Sequence, residues 1–146
     1  MGEIDSAALT TRFLQLLADG QLDDAVDLLA EDVLYTNVSL PAMRGRERVR
    51  QAVRRALGRP AAGFEVYIHA IATDDDGVVL TERTDVLTYG RLRVQFWVYG
   101  RFETRDGQIT VWRDSFDWLN LAAATARGVL ALGIPGLAAR PPTSSS

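Results

Sequence analysis

The chain has 146 residues, 47% hydrophobic and 24% charged, enough to bury one substantial core and too few to build two. A formal net charge of −3 gives no general attraction to phosphate and argues against a nucleic-acid partner, while the lack of cysteine excludes disulfides and thiolate chemistry. The single histidine, His69, cannot by itself assemble a zinc site, so catalysis without metal or cofactor is the expectation.

From the start of the chain, Glu3 and Asp5 stand where a secretory signal needs a positive segment leading into an apolar run, and a cytoplasmic location is expected. The myristoylation-like Met1-Gly2 with Ser6 and the glycosylation-like Asn37-Val38-Ser39 are read as chance matches to short patterns. Ala8, Phe13, Leu14, Leu16 and Leu17 recur at helical intervals until Asp19-Gly20 breaks the pattern. Leu22, Ala25, Val26, Leu28 and Leu29 predict a second helix, with Asp23, Asp24 and Asp27 on its polar side. An extended segment begins at Val33 and runs to a turn at Leu40-Pro41, and Gly45 precedes a third helix, Arg46–Leu57, with a solvated arginine face.

After Gly58, Pro60 and Gly63 the period changes to two. Four strands are predicted over 64–72, 78–89, 92–104 and 108–118, separated by Asp74-Asp75-Asp76-Gly77, Tyr89-Gly90-Arg91 and Arg105-Asp106-Gly107. A last helix over 119–132 follows. The apolar stretch 126–139, cut by Gly128, Gly133, Pro135 and Gly136, is too short to span a bilayer. Residues 1–139 thus read as one domain and 140–146 as a frayed tail. Helices followed by an antiparallel meander make an α+β fold, a cone-shaped curved sheet with helices packed on its concave face and an interior able to hold an apolar ligand.

Two strands carry the chemistry. Alternation puts Arg83, Asp85 and Leu87 on one face of their strand, and groups Trp112, Asp114 and Phe116 on one face of another. If the aromatics face the core, Asp114 faces it too, and a buried carboxylate needs a partner. Arg83 is the candidate, because one guanidinium can hold two carboxylates, and a retained proton would then leave an acid beside a base. On pattern alone a buried structural salt bridge fits equally well. Tyr35 and Asn37 share a strand face at i, i+2. Phe96 and Val98, with Val94, form one apolar strand face and are expected to line the pocket, together with Leu87, Trp112 and Phe116. Gln95, Trp97 and Tyr99 form the opposite face, suited to a subunit interface. His69 reads as an ordinary strand histidine.

Tyr35-Thr36-Asn37, Thr81-Glu82-Arg83-Thr84-Asp85-Val86-Leu87 and Trp112-Arg113-Asp114-Ser115-Phe116-Asp117 resemble, in the same order, the three active-site segments of limonene-1,2-epoxide hydrolases. The likeness runs from the first helices to Asp117 and weakens in the last helix and tail. It implies the nuclear transport factor 2-like (SnoaL-like) superfamily, a deep pocket, a homodimer and no cofactor. It further implies that Asp85 is the general acid, Asp114 the general base, Arg83 the bridge between them, and Tyr35 and Asn37 the residues that hold water. The implied reaction is hydrolysis of a small or medium lipophilic epoxide, cyclic or terpene-like, to a vicinal diol, away from nucleic acid and membrane. Three other readings use the same architecture: a ketosteroid-isomerase-like proton-transfer enzyme, an epoxide-opening cyclase, and a non-catalytic module that binds a lipophilic ligand.

Overall fold

The computed structural model describes residues 5–143. The myristoylation-like Met1-Gly2 and the end of the predicted tail, 144–146, lie outside the described residues. Helix α1 (Ser6–Ala18) is capped by Asp5, whose carboxylate accepts a hydrogen bond from the Ala7 amide at 2.9 Å, and it buries Leu9, Phe13, Leu14 and Leu17. Helix α2 (Leu22–Val26) is shorter than its apolar stripe predicts. Strand β1 (Leu29–Asn37) begins four residues earlier than expected, because Leu28 and Leu29 join the ladder instead, the Leu28 carbonyl accepting from the Ile109 amide at 2.9 Å. An adjacent apolar pair satisfies helix and strand patterns alike, and the backbone pairing decides between them.

The two-residue strand β2 (Met43–Arg44), absent from the sequence reading, precedes α3 (Arg46–Leu57). Helix α3 buries Val49 and Val53, and Arg50 reaches Asp23 at 2.9 Å and Asp27 at 2.7 Å, tying it to α2. The meander follows as β3 (Ala62–Thr73), β4 (Val79–Tyr89), β5 (Leu92–Arg105) and β6 (Gln108–Ser115). At the β5–β6 turn both central residues have positive φ, 53° at Asp106 and 76° at Gly107, the conformation a two-residue hairpin of this twist requires. The sheet order is β2-β1-β6-β5-β4-β3, antiparallel throughout except that β1 runs parallel to β6. This is the curved α+β sheet expected from the sequence.

Phe13 and Leu14 pack with Leu29, Val33, Val49, Phe102, Ile109 and Trp112 in the main core. Phe13 sets its ring edge against both Phe102 and Trp112, at 6.3 and 4.9 Å between centroids. The last predicted strand stops three residues early, at Ser115, because Asp117 caps helix α4 (Trp118–Gly133) by accepting from the Leu119 and Asn120 amides. Pairing between β5 and β6 therefore ends at Tyr99 with Ser115, and α4 lies along the β5 edge left free. Asn120 Oδ1 accepts from the Trp97 amide at 3.1 Å, and a Cβ on Gly128 would stand 2.3 Å from the Arg93 carbonyl oxygen, so the helix requires glycine where it touches the strand. Helix α4 thus runs along this edge and turns Leu121 and Ala124 onto Val94, Phe96 and Val98, the pocket-facing side of β5. Beyond α4 the chain is tied back as far as Arg140, whose carbonyl accepts from Gln95 Nε2 at 3.0 Å. The predicted tail is therefore anchored at its first residue. No helix among the described residues is long and apolar enough to cross a membrane.

Candidate active site

The sheet register assembles the polar groups. Parallel pairing of β1 with β6 sets Tyr35 beside Trp112 and Asn37 beside Asp114. Antiparallel pairing of β5 with β4 and β6 sets Gly100 between Thr81 and Asp114, while Asp85 faces Phe96 and Arg83 faces Val98. The inward face of three neighbouring strands therefore carries Arg83, Asp85 and Asp114 together, with Tyr35 and Asn37 on the next strand.

Arg83 is 1% exposed, Asp85 6% and Asp114 7%. The guanidinium Nε donates to Asp85 Oδ1 at 2.9 Å and Nη2 to Asp85 Oδ2 at 3.0 Å, a bidentate pair. The same Nη2 lies 2.9 Å from Asp114 Oδ2. Nη1 donates to Thr81 Oγ1 over 3.4 Å, and the Phe102 ring lies beneath, 6.0 Å from the guanidinium carbon. Two carboxylate oxygens thus converge on one nitrogen. The second oxygen of Asp114, Oδ1, is buried with no donor among the described residues. A buried acceptor left this way costs stability and calls for an explanation in the function of the site.

Burial raises the pKa of Asp85, opposed by the charge and hydrogen bonds of Arg83 and reinforced by the nearby charge of Asp114. Burial by itself lowers the pKa of Arg83, but the two carboxylates outweigh it and the guanidinium stays charged. Tyr35 is pushed up to about 12 by burial first and by the Asp114 charge second, so its hydroxyl stays protonated. The Asn37 amide donates to the Tyr35 oxygen at 2.7 Å, which leaves the tyrosine proton and the Asn37 Oδ1 for another partner.

These five side chains line one cavity of about 480 Å³. Of the pocket residues expected from the sequence, Leu87, Phe96, Val98, Trp112 and Phe116 line it as well, whereas Val94, on the same strand face, is instead buried in a small core cluster with Phe96 and Val98 against Leu121 and Ala124 of α4. Leu87 is 40% exposed although it lines the cavity. Sequence reasoning missed the opposite wall, made by Leu14 and Leu17 of α1, Met43, Val53 and Leu57 of β2 and α3, Phe64 of β3 and Leu121 of α4. Apart from Met43, these residues fall in apolar patterns that the sequence shows, but such patterns mark core and pocket alike. His69 stays apart from the site, its Nε2 2.8 Å from Thr84 Oγ1 and its ring against Trp97. Trp97 and Tyr99, expected on the outward face, are exposed. No group of three or more histidine, cysteine, aspartate or glutamate side chains suited to a metal ion occurs among the described residues.

The model of the limonene-1,2-epoxide hydrolase catalytic domain matches residues 5–127. The epoxide hydrolase EphG of Mycobacterium tuberculosis is 46% identical over 127 residues, 87% of this chain and 83% of that protein. A solved structure of an epoxide hydrolase from M. tuberculosis, described as limonene-epoxide-hydrolase-like, superposes with a TM-score of 0.86 at 43% identity, covering 94% of this chain and 96% of that one. A putative polyketide cyclase from Xanthomonas campestris shares the fold at 20% identity and a TM-score of 0.72, over 82% of this chain and 96% of that one.

Proposed function

The chain belongs to the limonene-1,2-epoxide hydrolase family, and from that premise we propose that it converts a lipophilic epoxide to a vicinal diol in one step, with acid and base acting together. It is an epoxide hydrolase of that family, and its fold is nuclear transport factor 2-like. The observation that carries the mechanism is the geometry of the cluster: Arg83 holds both carboxylates, Asp114 keeps one buried oxygen with no donor among the described residues, and burial raises the pKa of Asp85 beside it.

Epoxide opening releases ring strain but generates an alkoxide, which needs a proton inside an apolar cavity. Protonated Asp85 supplies it as the carbon–oxygen bond breaks. Water is a weak nucleophile, so Asp114 Oδ1 removes one of its protons while the water oxygen bonds to the carbon. The Asn37 oxygen and the Tyr35 hydroxyl orient that water from the neighbouring strand. Arg83 holds both acids at fixed positions. After product forms, Asp85 is ionised and Asp114 protonated, and transfer of one proton from Asp114 to Asp85 restores the starting state. Acid and base each contribute about 10²–10⁴-fold in rate.

Beyond these five side chains the wall of the cavity is apolar, and among the described residues no other charged side chain lines it. That favours an uncharged, lipophilic substrate. Incubation with terpene, cycloalkene and steroid epoxides, and separately with an enone, tests the reading. Diol from at least one epoxide is expected; enone isomerisation without any epoxide turnover contradicts it.

The raised pKa of Asp85 has two consequences for pH dependence. As pH rises through that pKa the acid is lost and kcat falls, and an Asp85→Asn variant, already slow, lacks this limb. Because the folded pKa exceeds the unfolded one, the stability linked to the Asp85 proton is complete below the unfolded value and is lost as pH rises through the folded value. Melting temperatures of wild type and Asp85→Asn across pH are therefore expected to show a shallower decline for the variant on the alkaline side. Parallel curves would mean that Asp85 is an ordinary carboxylate.

A further inference from the structure

Gly100 occupies the middle of β5 without needing glycine's backbone freedom, since it is not one of the positive-φ glycines. A glycine inside a strand forgoes side-chain packing and often marks the close approach of another group. Here the group is Arg83. A Cβ built on Gly100 would stand 2.6 Å from Arg83 Nη1, 2.6 Å from Thr81 Oγ1 and 2.9 Å from the Phe102 ring. All three are buried, Thr81 at 3% exposure, Arg83 at 1% and Phe102 at 0%, and of them Arg83 borders the cavity into which it can be pushed.

The topology explains why the guanidinium must be there. Arg83 springs from β4 and Asp114 from β6, with β5 between them. Strands lie about 4.8 Å apart, so the arginine must cross roughly 10 Å of sheet to reach the second acid. Residue 100 pairs directly with Asp114 on one side and Thr81 on the other, which puts it under the path of the side chain. We propose that Gly100 is a positioning residue: its missing side chain is the notch through which Arg83 crosses β5 to hold Asp114 while remaining paired with Asp85. The inference rests on the acid and base roles proposed above for Asp85 and Asp114. A methyl group at position 100 displaces Nη1, and the planar guanidinium carries Nη2 with it, away from Asp114.

The test is Gly100→Ala, made alone and in a Thr81→Ala background. Losing the threonine hydroxyl removes one of the two polar clashes and eases folding, while the clash with Nη1 remains. Each alanine variant is compared with its parent by kcat, KM and a crystal structure. The expected result is a fall in kcat of about 10²-fold, as for other small misplacements of catalytic groups, with KM changed less than about threefold. A general loosening of the fold would reduce the amount of active protein while leaving the Arg83–Asp114 contact of the folded fraction near 2.9 Å. Full activity of Gly100→Ala in either background, an Arg83–Asp114 contact still near 2.9 Å, or failure of both variants to fold would each overturn the proposal. Asp114→Asn is measured alongside. If Asp114→Asn is inactive and Gly100→Ala fully active, the notch is wrong and the site stands; if Asp114→Asn turns over normally, the underlying reading of the site fails.

Discussion

Asp114→Asn is expected to lower kcat by about 10²–10⁴-fold while leaving the protein folded. The amide keeps the shape of the carboxylate but has no basic oxygen with which to take a proton from water. The fold survives because the buried cation is not orphaned: Arg83 retains its bidentate pair with Asp85 at 2.9 and 3.0 Å. Removing the Asp114 charge also removes one of the influences that raise the pKa of Asp85, so the variant lowers that pKa as well as abolishing the base. Steady-state diol formation and a thermal melt together check this. Diol formation near the wild-type rate by a folded variant would strip Asp114 of its role.

Arg83→Met has the larger effect on stability. It leaves Asp85 and Asp114 buried with no cation, and breaking a buried pair by removing one partner costs about 3–5 kcal/mol. The loss is greatest at neutral pH and shrinks in acid, where both carboxylates bind protons in the folded and unfolded chain alike. Activity is lost as well, since neither acid is held in place. The triple variant Arg83→Met, Asp85→Asn, Asp114→Asn has no buried charge left in the cluster. It is expected to recover most of the lost stability and none of the activity. Urea denaturation of the three proteins at neutral and acidic pH measures the difference. Equal midpoints for wild type and Arg83→Met would mean that the guanidinium is dispensable to the fold.

These expectations rest on a cluster that was legible in the sequence because period-two alternation is strict. It put Arg83 with Asp85, and Asp114 between Trp112 and Phe116, and the β4–β5–β6 register brings the two strands' acids to one guanidinium. The meander was readable for the same reason, helped by turns such as Asp106-Gly107 whose backbone demands few residue types. Helix ends were less so: Leu28 and Leu29 suit a helix face and a strand equally, and Asp117 ends β6 through a cap that looks locally like one more alternating residue. The two residues of β2 carry no periodic signal at all. The far wall of the cavity, from Leu14 to Phe64, was hidden because an apolar side chain toward a core and one toward a cavity follow the same pattern. Gly100 was silent for a related reason, since its role lies in an atom it lacks, and only the position of Arg83 reveals it.

In the proposed mechanism water, activated by Asp114, attacks the epoxide directly. A single turnover with enzyme in excess, in water enriched in oxygen-18, separates this from attack by a carboxylate. Direct attack puts the heavy oxygen into the first diol formed. Ordinary oxygen in that first diol, with heavy oxygen appearing only in later turnovers, would show that a carboxylate had bonded to the substrate and would contradict the mechanism.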